Sequence, residues 1–277
     1  MLLALLQGVS ELFPISSLGH TVLIPALLHW PVNESDESFL AFVVVLHLGT
    51  AVALLAFYRR TWLAIGRALV ASIVRGRLGP GRDEKIGWLL VVGTLPVGVL
   101  GVFFQSAVRA LFASPLVVSL FLVANAFVMF AGEWLRRRQQ HGGRTSRPLE
   151  RLRMGDGAAI GLAQGLALLP GISRSGSSIV AGLLADLDHE SAANYSFLLA
   201  TPVILAAGVL EIPKLFAPAA HVVAVEAVAG GVVSGITAYA SVAFLTRYFQ
   251  HNDLRPFGWY CLIFGSACAL LFLTKVV

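Results

Sequence analysis

The chain has 277 residues, of which 57% are hydrophobic and 13% are charged, and its mean hydropathy is +0.81. Because an average soluble domain carries about a quarter charged residues, this composition excludes a disordered protein and an ordinary soluble enzyme. Two cysteines are too few for a disulfide scaffold. The chain is therefore predicted to be an all-α polytopic membrane protein, whose net charge of +5 comes from basic cytoplasmic loops.

Eight apolar stretches follow one another along the chain. Six are continuous and long enough to cross a membrane, namely 39–58, 87–105, 115–132, 193–212, 222–245 and 256–274. The other two, 2–30 and 157–185, have Gly, Pro and Ser at their centres. Because proline ends a helix and serine caps a new one, each is predicted to be two half-helices joined by a tight turn. A half-helix of about 12 residues is only ~18 Å long, so each hairpin should be re-entrant.

The basic residues concentrate on one predicted side of the membrane. The loops 59–86 and 133–154 hold fourteen of the twenty lysines and arginines, and Arg247 and Arg255 bring the total to sixteen. Because lysine and arginine accumulate in cytoplasmic loops, these loops are predicted to be cytoplasmic and both termini external. A nucleic-acid-binding patch is the alternative, but the asymmetry follows six spans in order. No basic segment precedes the first apolar residues, so no cleavable signal peptide is expected.

The two broken stretches resemble each other after a shift of 157 residues. The shift aligns Gln7-Gly8 with Gln164-Gly165, Leu12 with Leu169, Ile15-Ser16 with Ile172-Ser173, and Gly19 with Gly176. A single membrane domain, 1–277, would then contain two repeats, 1–132 and 155–277, joined by a cytoplasmic linker, 133–154. Each repeat has one hairpin and three spans. Because three is odd, the second repeat must enter from the opposite face, which predicts an inverted-topology repeat whose turns meet near the bilayer midplane.

The first hairpin carries residues suited to catalysis. Glu11 is the only acid in either hairpin, and a carboxylate at membrane depth is a functional candidate because its burial is unfavourable. Ser17 and His20 are three residues apart, so His20 can act as the base for a Ser17 nucleophile. A hydrogen bond from His20 to a backbone carbonyl is the open alternative. His47 lies in the first span and can pack against the site, although no motif includes it.

The second hairpin carries an anion-binding pattern. Arg174 is flanked by Ser173 and Ser175 and followed by Gly176. A guanidinium, hydroxyl groups and a helix N-terminus all bind phosphate, so these residues, with Ser16 at the other turn, are predicted to hold the phosphate of an amphiphile. In the alternative, Arg174 only neutralises the carboxylate of the first hairpin. The two roles are compatible in an empty enzyme.

A divalent cation, Mg²⁺ or Ca²⁺, is expected at the same place. Hard dications take oxygen ligands, which Glu11, the Gln7 carbonyl and the substrate phosphates can supply. The sequence contains no HExxH, no CxxC pair, no P-loop and no dinucleotide fingerprint, so it offers no other cofactor site of a familiar kind.

At these residues the chain resembles the undecaprenyl-diphosphatase family of the integral-membrane, bacitracin-resistance type. Three motifs carry the resemblance, in order: a Glu-or-Gln-x-x-x-Glu motif at 7–11, PxSSxGH at 14–20 and PGxSRSG at 170–176. Length and span pattern agree over almost the whole chain. Gln7 stands where some members have Glu, which removes one charge from a metal site. Only six residues precede Gln7, fewer than in many members, so the first half-helix is short or the sequence starts late.

The resemblance implies hydrolysis of undecaprenyl diphosphate to undecaprenyl phosphate and inorganic phosphate, which recycles the lipid carrier of peptidoglycan synthesis. It implies an acidic or metal-binding role for Glu11, a catalytic Ser17–His20 pair and phosphate binding by Arg174. The expected location is the bacterial inner membrane, with the site open to the outer face. The expected partners are the polyprenyl diphosphate and membrane lipids, not nucleic acid, and a homodimer is compatible with the sequence.

A transporter or flippase for an anionic polyprenyl lipid is the competing hypothesis. Inverted repeats with broken helices are common in transporters, so the predicted architecture alone does not separate the two functions. Transport, however, does not require Ser17 and His20 beside a buried carboxylate.

Overall fold

The computed structural model describes residues 1–30, 37–112, 114–215 and 224–274, and these residues form helices and short connections without any β-strand. The helices are α1 (Leu2–Ser10), α2 (Ser17–Leu27), α3 (Glu37–Phe57), α4 (Arg59–Arg75), α5 (Arg82–Phe112), α6 (Pro115–His141), α7 (Met154–Gln164), α8 (Arg174–Leu184), α9 (His189–Leu215), α10 (Ala224–Tyr248) and α11 (Arg255–Leu273). Single 3₁₀ turns lie at Leu149–Arg151 and Gly165–Leu168. The prediction of an all-α chain is confirmed.

Within the described residues, five helices are long and apolar enough to cross a membrane. They are Arg82–Phe103 within α5, the whole of α6, His189–Val209 within α9, and α10 and α11. A sixth candidate combines Ala41–Phe57, which is most of α3, with α4, but these two helices meet at an angle of 84°. The described chain is therefore compatible with a polytopic membrane protein. Of the predicted span 222–245, residues 222 and 223 lie outside the described residues.

Two predicted loops are partly helical. The loop 59–86 contains α4, and the linker 133–154 begins with the last turns of α6, which continues to His141. The sequence predicts loops for both segments because they lie between the long apolar stretches. In α4, however, apolar residues recur at helical spacing between the arginines, and this pattern stabilises a helix that has one apolar side.

The ends of several helices meet at one end of the bundle. Tyr58, after α3, donates its hydroxyl to Asn194 Oδ1 in the first turns of α9 at 2.7 Å. Glu133 Oε1, near the end of α6, lies 2.8 Å from His189 Nε2 and accepts from the backbone N–H of Leu254, before α11, at 3.0 Å. The loops richest in arginine therefore belong to the same end of the molecule, which is the distribution that the charge pattern predicts.

Both stretches with Gly, Pro and Ser at their centres are broken where the sequence predicts. Helices α2 and α8 begin 157 residues apart, at Ser17 and Arg174. Each begins after a capping serine, whose side chain accepts from a backbone N–H three residues later: Ser16 Oγ from Gly19 and Ser173 Oγ from Gly176. Serine is favoured at this position because its oxygen satisfies an amide that the first helical turn leaves free.

The half-helices α1 and α7 pack against long helices from the other half of the chain. Gly8 of α1 lies against the backbone of Ser234 in α10, with no room for a side chain between them. Gly161 of α7 lies equally close to the backbone of Gly93 in α5. Small residues of this kind let helix backbones approach closely, which is how helices associate where apolar burial gives little driving force.

Candidate active site

Glu11 is the centre of a buried polar cluster at the turn between α1 and α2. The residue is 8% exposed. Its Oε2 accepts from Ser17 Oγ at 2.5 Å and from Gln7 Nε2 at 3.0 Å, and its Oε1 accepts from Arg174 Nη2 at 3.2 Å. A buried carboxylate needs such donors and a counter-charge, because burial removes its hydration. The structure thus brings the predicted residues of the two hairpins into direct contact.

A histidine from the first span also reaches this carboxylate. His47 Nε2 lies 3.5 Å from Glu11 Oε2, while its Nδ1 lies 2.9 Å from the carbonyl oxygen of Val43. Because a carbonyl oxygen can only accept, Nδ1 is a donor and Nε2 is the atom that faces the site. Among the described residues, this is the histidine nearest to the carboxylate.

His20 is held by other partners. Its Nδ1 lies 2.8 Å from the carbonyl oxygen of Ser16, and its Nε2 lies 2.7 Å from Tyr260 Oη. Its ring stacks on Phe264, with centroids 5.3 Å apart. The carbonyl fixes Nδ1 as the donor, so a neutral His20 accepts from the Tyr260 hydroxyl.

In the described part of the chain, Ser17 donates to Glu11 and no hydrogen bond joins it to His20. The open alternative for His20, a bond to a backbone carbonyl, is thus its observed arrangement.

Ser16 links His20 to the start of α2. Its φ is +70°, in the left-handed region that a serine rarely adopts. The carbonyl group of this residue is the one that His20 binds, and its hydroxyl is the cap of α2. His20 therefore stabilises a strained turn immediately before Ser17, and such strain is common at functional sites.

The second turn places its hydroxyl groups against the first turn. Arg174 is the first residue of α8, and its Nη1 donates to the carbonyl oxygen of Ser196 at 3.5 Å. Ser175 Oγ lies 3.0 Å from Ser173 Oγ and donates to the carbonyl oxygen of Phe13 at 3.1 Å. Four of the predicted phosphate-binding residues, Ser173 to Gly176, are therefore at the N-terminus of α8, where the helix dipole favours an anion, whereas the fifth, Ser16, caps α2 at the other turn.

Asn125, in α6, connects the two turns and was not among the predicted site residues. Its side chain is fully buried. Nδ2 donates to the carbonyl oxygen of Pro14 at 3.0 Å, and Oδ1 accepts from the backbone N–H of Ser173 at 3.0 Å. A lone amide side chain inside an otherwise apolar span is a sequence pattern that could have revealed it, because buried polar groups in membranes usually have a specific partner.

The backbone conformation of the second turn explains why it contains a glycine at position 171. Gly171 has a φ of +107°, and a side chain there would collide with the backbone of α6 at Val118. Only glycine adopts this conformation without strain and permits so close an approach. The second turn is thus held on α6 at two places, by the close contact of Gly171 and by the side chain of Asn125.

The oxygen atoms around Glu11 suit a dication that is held together with a diphosphate. The cluster provides one carboxylate, the Ser17 hydroxyl and the Gln7 side-chain amide. Within the residues that the structure describes, no three His, Cys, Asp or Glu side chains form a metal-binding group. Mg²⁺ is commonly held by one or two carboxylates plus substrate phosphates, so the residues fit such an ion when phosphate supplies the remaining ligands.

Comparisons with known proteins show similarity over almost the whole chain. The chain is 48% identical to the undecaprenyl-diphosphatase of Acidiphilium cryptum (strain JF-5), over 98% of this chain and 96% of that relative. It is 46% identical to the undecaprenyl-diphosphatase of Mycobacterium avium (strain 104), over 94% and 92%. The undecaprenyl-diphosphatase 2 of Chromobacterium violaceum is 48% identical, over 96% and 95%. The family model described as bacitracin resistance protein BacA matches residues 1–267. The chain therefore belongs to the bacitracin resistance protein BacA family.

Proposed function

We propose that this protein is a membrane phosphatase that hydrolyses undecaprenyl diphosphate to undecaprenyl phosphate and inorganic phosphate. The names of the relatives, which are undecaprenyl-diphosphatases, support this substrate. The observation that carries the proposal is the cluster in which Glu11 binds Ser17 through one oxygen and Arg174 through the other. This cluster joins a nucleophile, a proton acceptor and a phosphate-binding cation, which are the parts that phosphoryl transfer requires.

Arg174 binds the terminal phosphate of the substrate. Its planar guanidinium can bind two phosphate oxygens at once, and Arg174 lies at the N-terminus of α8, where the helix dipole favours an anion. In this structure the guanidinium group forms an ion pair with Glu11. Substrate binding exchanges this carboxylate for a phosphate, and the polyprenyl tail extends among the apolar helices.

Ser17 attacks the phosphorus atom, and Glu11 accepts its proton. The short contact between Ser17 Oγ and Glu11 Oε2, 2.5 Å, already has the direction that this transfer needs. The new bond joins Oγ to the terminal phosphorus, the bridging P–O bond breaks, and undecaprenyl phosphate leaves. The oxygen of a water molecule then bonds to the phosphorus, the Oγ–P bond breaks, and Ser17 Oγ takes back its proton from Glu11 as inorganic phosphate leaves. His20 orients the turn before Ser17; to act as the base itself, it would have to leave Tyr260 and the Ser16 carbonyl.

The same proposal includes a divalent cation, Mg²⁺ or Ca²⁺, held by Glu11 and Gln7 together with the diphosphate. When bound, the ion would neutralise negative charge on the diphosphate and on the leaving phosphate. Gln7 Nε2 now donates to Glu11 Oε2 at 3.0 Å, so the Gln7 amide would have to turn its oxygen towards the ion to share this role.

The proposed topology has six spans and two re-entrant hairpins in an inverted repeat. The 157-residue spacing of α2 and α8, and the packing of α1 on α10 and of α7 on α5, support it. The end of the bundle that contains most arginines would face the cytoplasm, and the first hairpin would open the site towards the outer face of the inner membrane. A transporter is less well supported, because the relatives are named for hydrolysis.

The test is phosphate release from a polyprenyl diphosphate by the purified full-length protein in detergent. We expect release by the unmodified protein and its loss in Glu11→Gln. The matched control is Glu150→Gln, which alters a carboxylate paired with Arg82 at the end of the bundle. If the unmodified protein moves the lipid between leaflets of a vesicle without releasing phosphate, the phosphatase proposal is wrong.

A further inference from the structure

Helix α4 lies across the end of the bundle and has one side buried on the protein. It follows α3 at an angle of 84°. Ile65 is buried and packs with Leu69 against Gly87 in α5, while Ser72 accepts from Trp88 Nε1 at 3.1 Å. If α3 and α5 cross a membrane, α4 lies roughly parallel to its surface, where these two spans meet the basic loops.

A second side of α4 is apolar and uncovered. Leu63, Val70, Ile73 and Val74 are 59%, 62%, 66% and 81% exposed. The intervals of seven, three and one residues place these side chains on adjoining positions of a single helical face. An exposed apolar strip of this kind is unfavourable in water, whereas acyl chains would cover it.

A third side of α4 is basic and borders the apolar strip. Arg60 and Arg67 are exposed and are seven residues apart, so they lie above one another on the helix. Within the described chain, neither has a carboxylate within 4.0 Å, whereas Arg75 on the same helix pairs with Glu84. These two guanidinium groups are therefore available to another anion.

We propose that α4 lies in the membrane interface and binds anionic phospholipids. Its apolar strip, formed by Leu63, Val70, Ile73 and Val74, enters the acyl region of the adjoining leaflet. Arg60 and Arg67 then stand at the level of the headgroups and bind lipid phosphates. Anionic lipids suit this surface better than a second copy of the chain does. A second copy would place its own Arg60 and Arg67 next to these two cations, and the like charges would repel. This surface is separate from the proposed catalytic site.

The depth of α4 is the first test. The full-length protein would carry a nitroxide at Val70→Cys or Ala71→Cys in nanodiscs of phosphatidylcholine and phosphatidylglycerol; the buried Cys261 and Cys268 should stay unlabelled. We expect the label at Val70 to collide mainly with oxygen and the label at Ala71, towards the basic side, mainly with a nickel chelate. Nickel access at both positions would place α4 in water, and spin–spin broadening at Val70 would mean that a second copy covers the strip. Either result overturns the proposal.

The lipid preference is the second test. Spin-labelled phosphatidylglycerol and phosphatidylcholine would compete for the protein in neutral nanodiscs. We expect the preference for phosphatidylglycerol to fall about fivefold for each of Arg60→Gln and Arg67→Gln, and the loss to shrink at high salt. The control Arg138→Gln/Arg151→Gln removes two exposed charges from the same end of the bundle. No loss in the α4 variants, or an equal loss in the control, would contradict a specific role for α4.

Discussion

Glu11 receives hydrogen bonds from Gln7, Ser17 and Arg174, and these three donors differ in what a substitution removes. Gln7 contributes a neutral amide, Ser17 a proton that can be transferred, and Arg174 a permanent charge with a fixed planar shape. Substitutions that keep one of these properties and remove another can therefore separate the roles of the residues.

Arg174→Lys keeps the charge but loses the planar fork. If Arg174 binds phosphate through two nitrogens, we expect the rate of phosphate release to fall at least tenfold while the protein remains folded. The assay is phosphate release from a polyprenyl diphosphate, with thermal unfolding in detergent as the measure of folding. The control is Arg247→Lys, at an exposed position near the end of α10. A fully active Lys variant would mean that Arg174 only neutralises Glu11.

The partner of Ser17 can be identified by a double-mutant cycle. Ser17→Ala and Glu11→Gln should each lower kcat by about 100-fold or more, because each removes part of one proton transfer. The double variant should be little worse than either single variant, as expected for residues that act as a unit. The same cycle with His20→Ala tests the predicted Ser17–His20 pair. His20 would be favoured as the base by the opposite result. In that case the kcat losses would multiply in the Ser17/Glu11 double variant but not in the Ser17/His20 double variant.

At the scale of elements, the two turns are held together by a helix that contributes no predicted catalytic group. Helix α6 supports both: Asn125 binds the carbonyl of Pro14 and the amide of Ser173, and Gly171 rests on the helix backbone. The geometry of the site thus depends on α6 as much as on the hairpins themselves.

Asn125→Leu should weaken this arrangement. It leaves the Pro14 carbonyl and the Ser173 amide without their partner, at a total cost of about 2 kcal/mol in the free energy of unfolding. We expect kcat to fall about tenfold in the phosphate-release assay. The control is Ser119→Ala on the same helix, whose hydroxyl donates to the carbonyl of Pro115, one turn earlier, and forms a hydrogen bond with neither turn among the residues that the structure describes. If both variants keep full activity, the bridge does not position the turns.

The breaks in both hairpins could be predicted because their causes are local. Pro14, Ser16 and Ser173 act on neighbouring residues of the chain, so the sequence is sufficient to locate the turns and the caps. The sequence does not predict helix α4, because the segment 59–86 is rich in arginine and lies between two apolar stretches. Its apolar side chains had the spacing that could have identified it.

The contacts of individual side chains could not be predicted in the same way. That Ser17 binds Glu11 depends on how the turn folds back on α1, and the partner of His20, Tyr260, is 240 residues away in the chain. His47 and Asn125 each stand alone in an apolar span, outside any motif. Only the tertiary packing brings them to the site.

For the whole molecule, the basic loops lie at one end of the bundle, and this distribution leads to a prediction about topology. In intact cells, a membrane-impermeant thiol reagent should spare Gln140→Cys, at the end of α6, because that end is proposed to be cytoplasmic. It should label Asn33→Cys, a position outside the described residues. Permeabilised cells provide the control, in which both positions should react. Labelling of Gln140→Cys in intact cells would contradict the proposed orientation.

If Arg174 binds the substrate phosphate as proposed, its ion pair with Glu11 makes this carboxylate a competitor of the substrate within the protein. In the proposed mechanism a phosphate that binds Arg174 displaces the carboxylate, so part of the binding free energy would be used for this exchange. This proposed exchange would also link two events, because the carboxylate would lose its counter-ion only when a phosphate has bound Arg174. Arrival of the substrate would then free Glu11 from Arg174 at the moment when Glu11 is needed to accept the Ser17 proton.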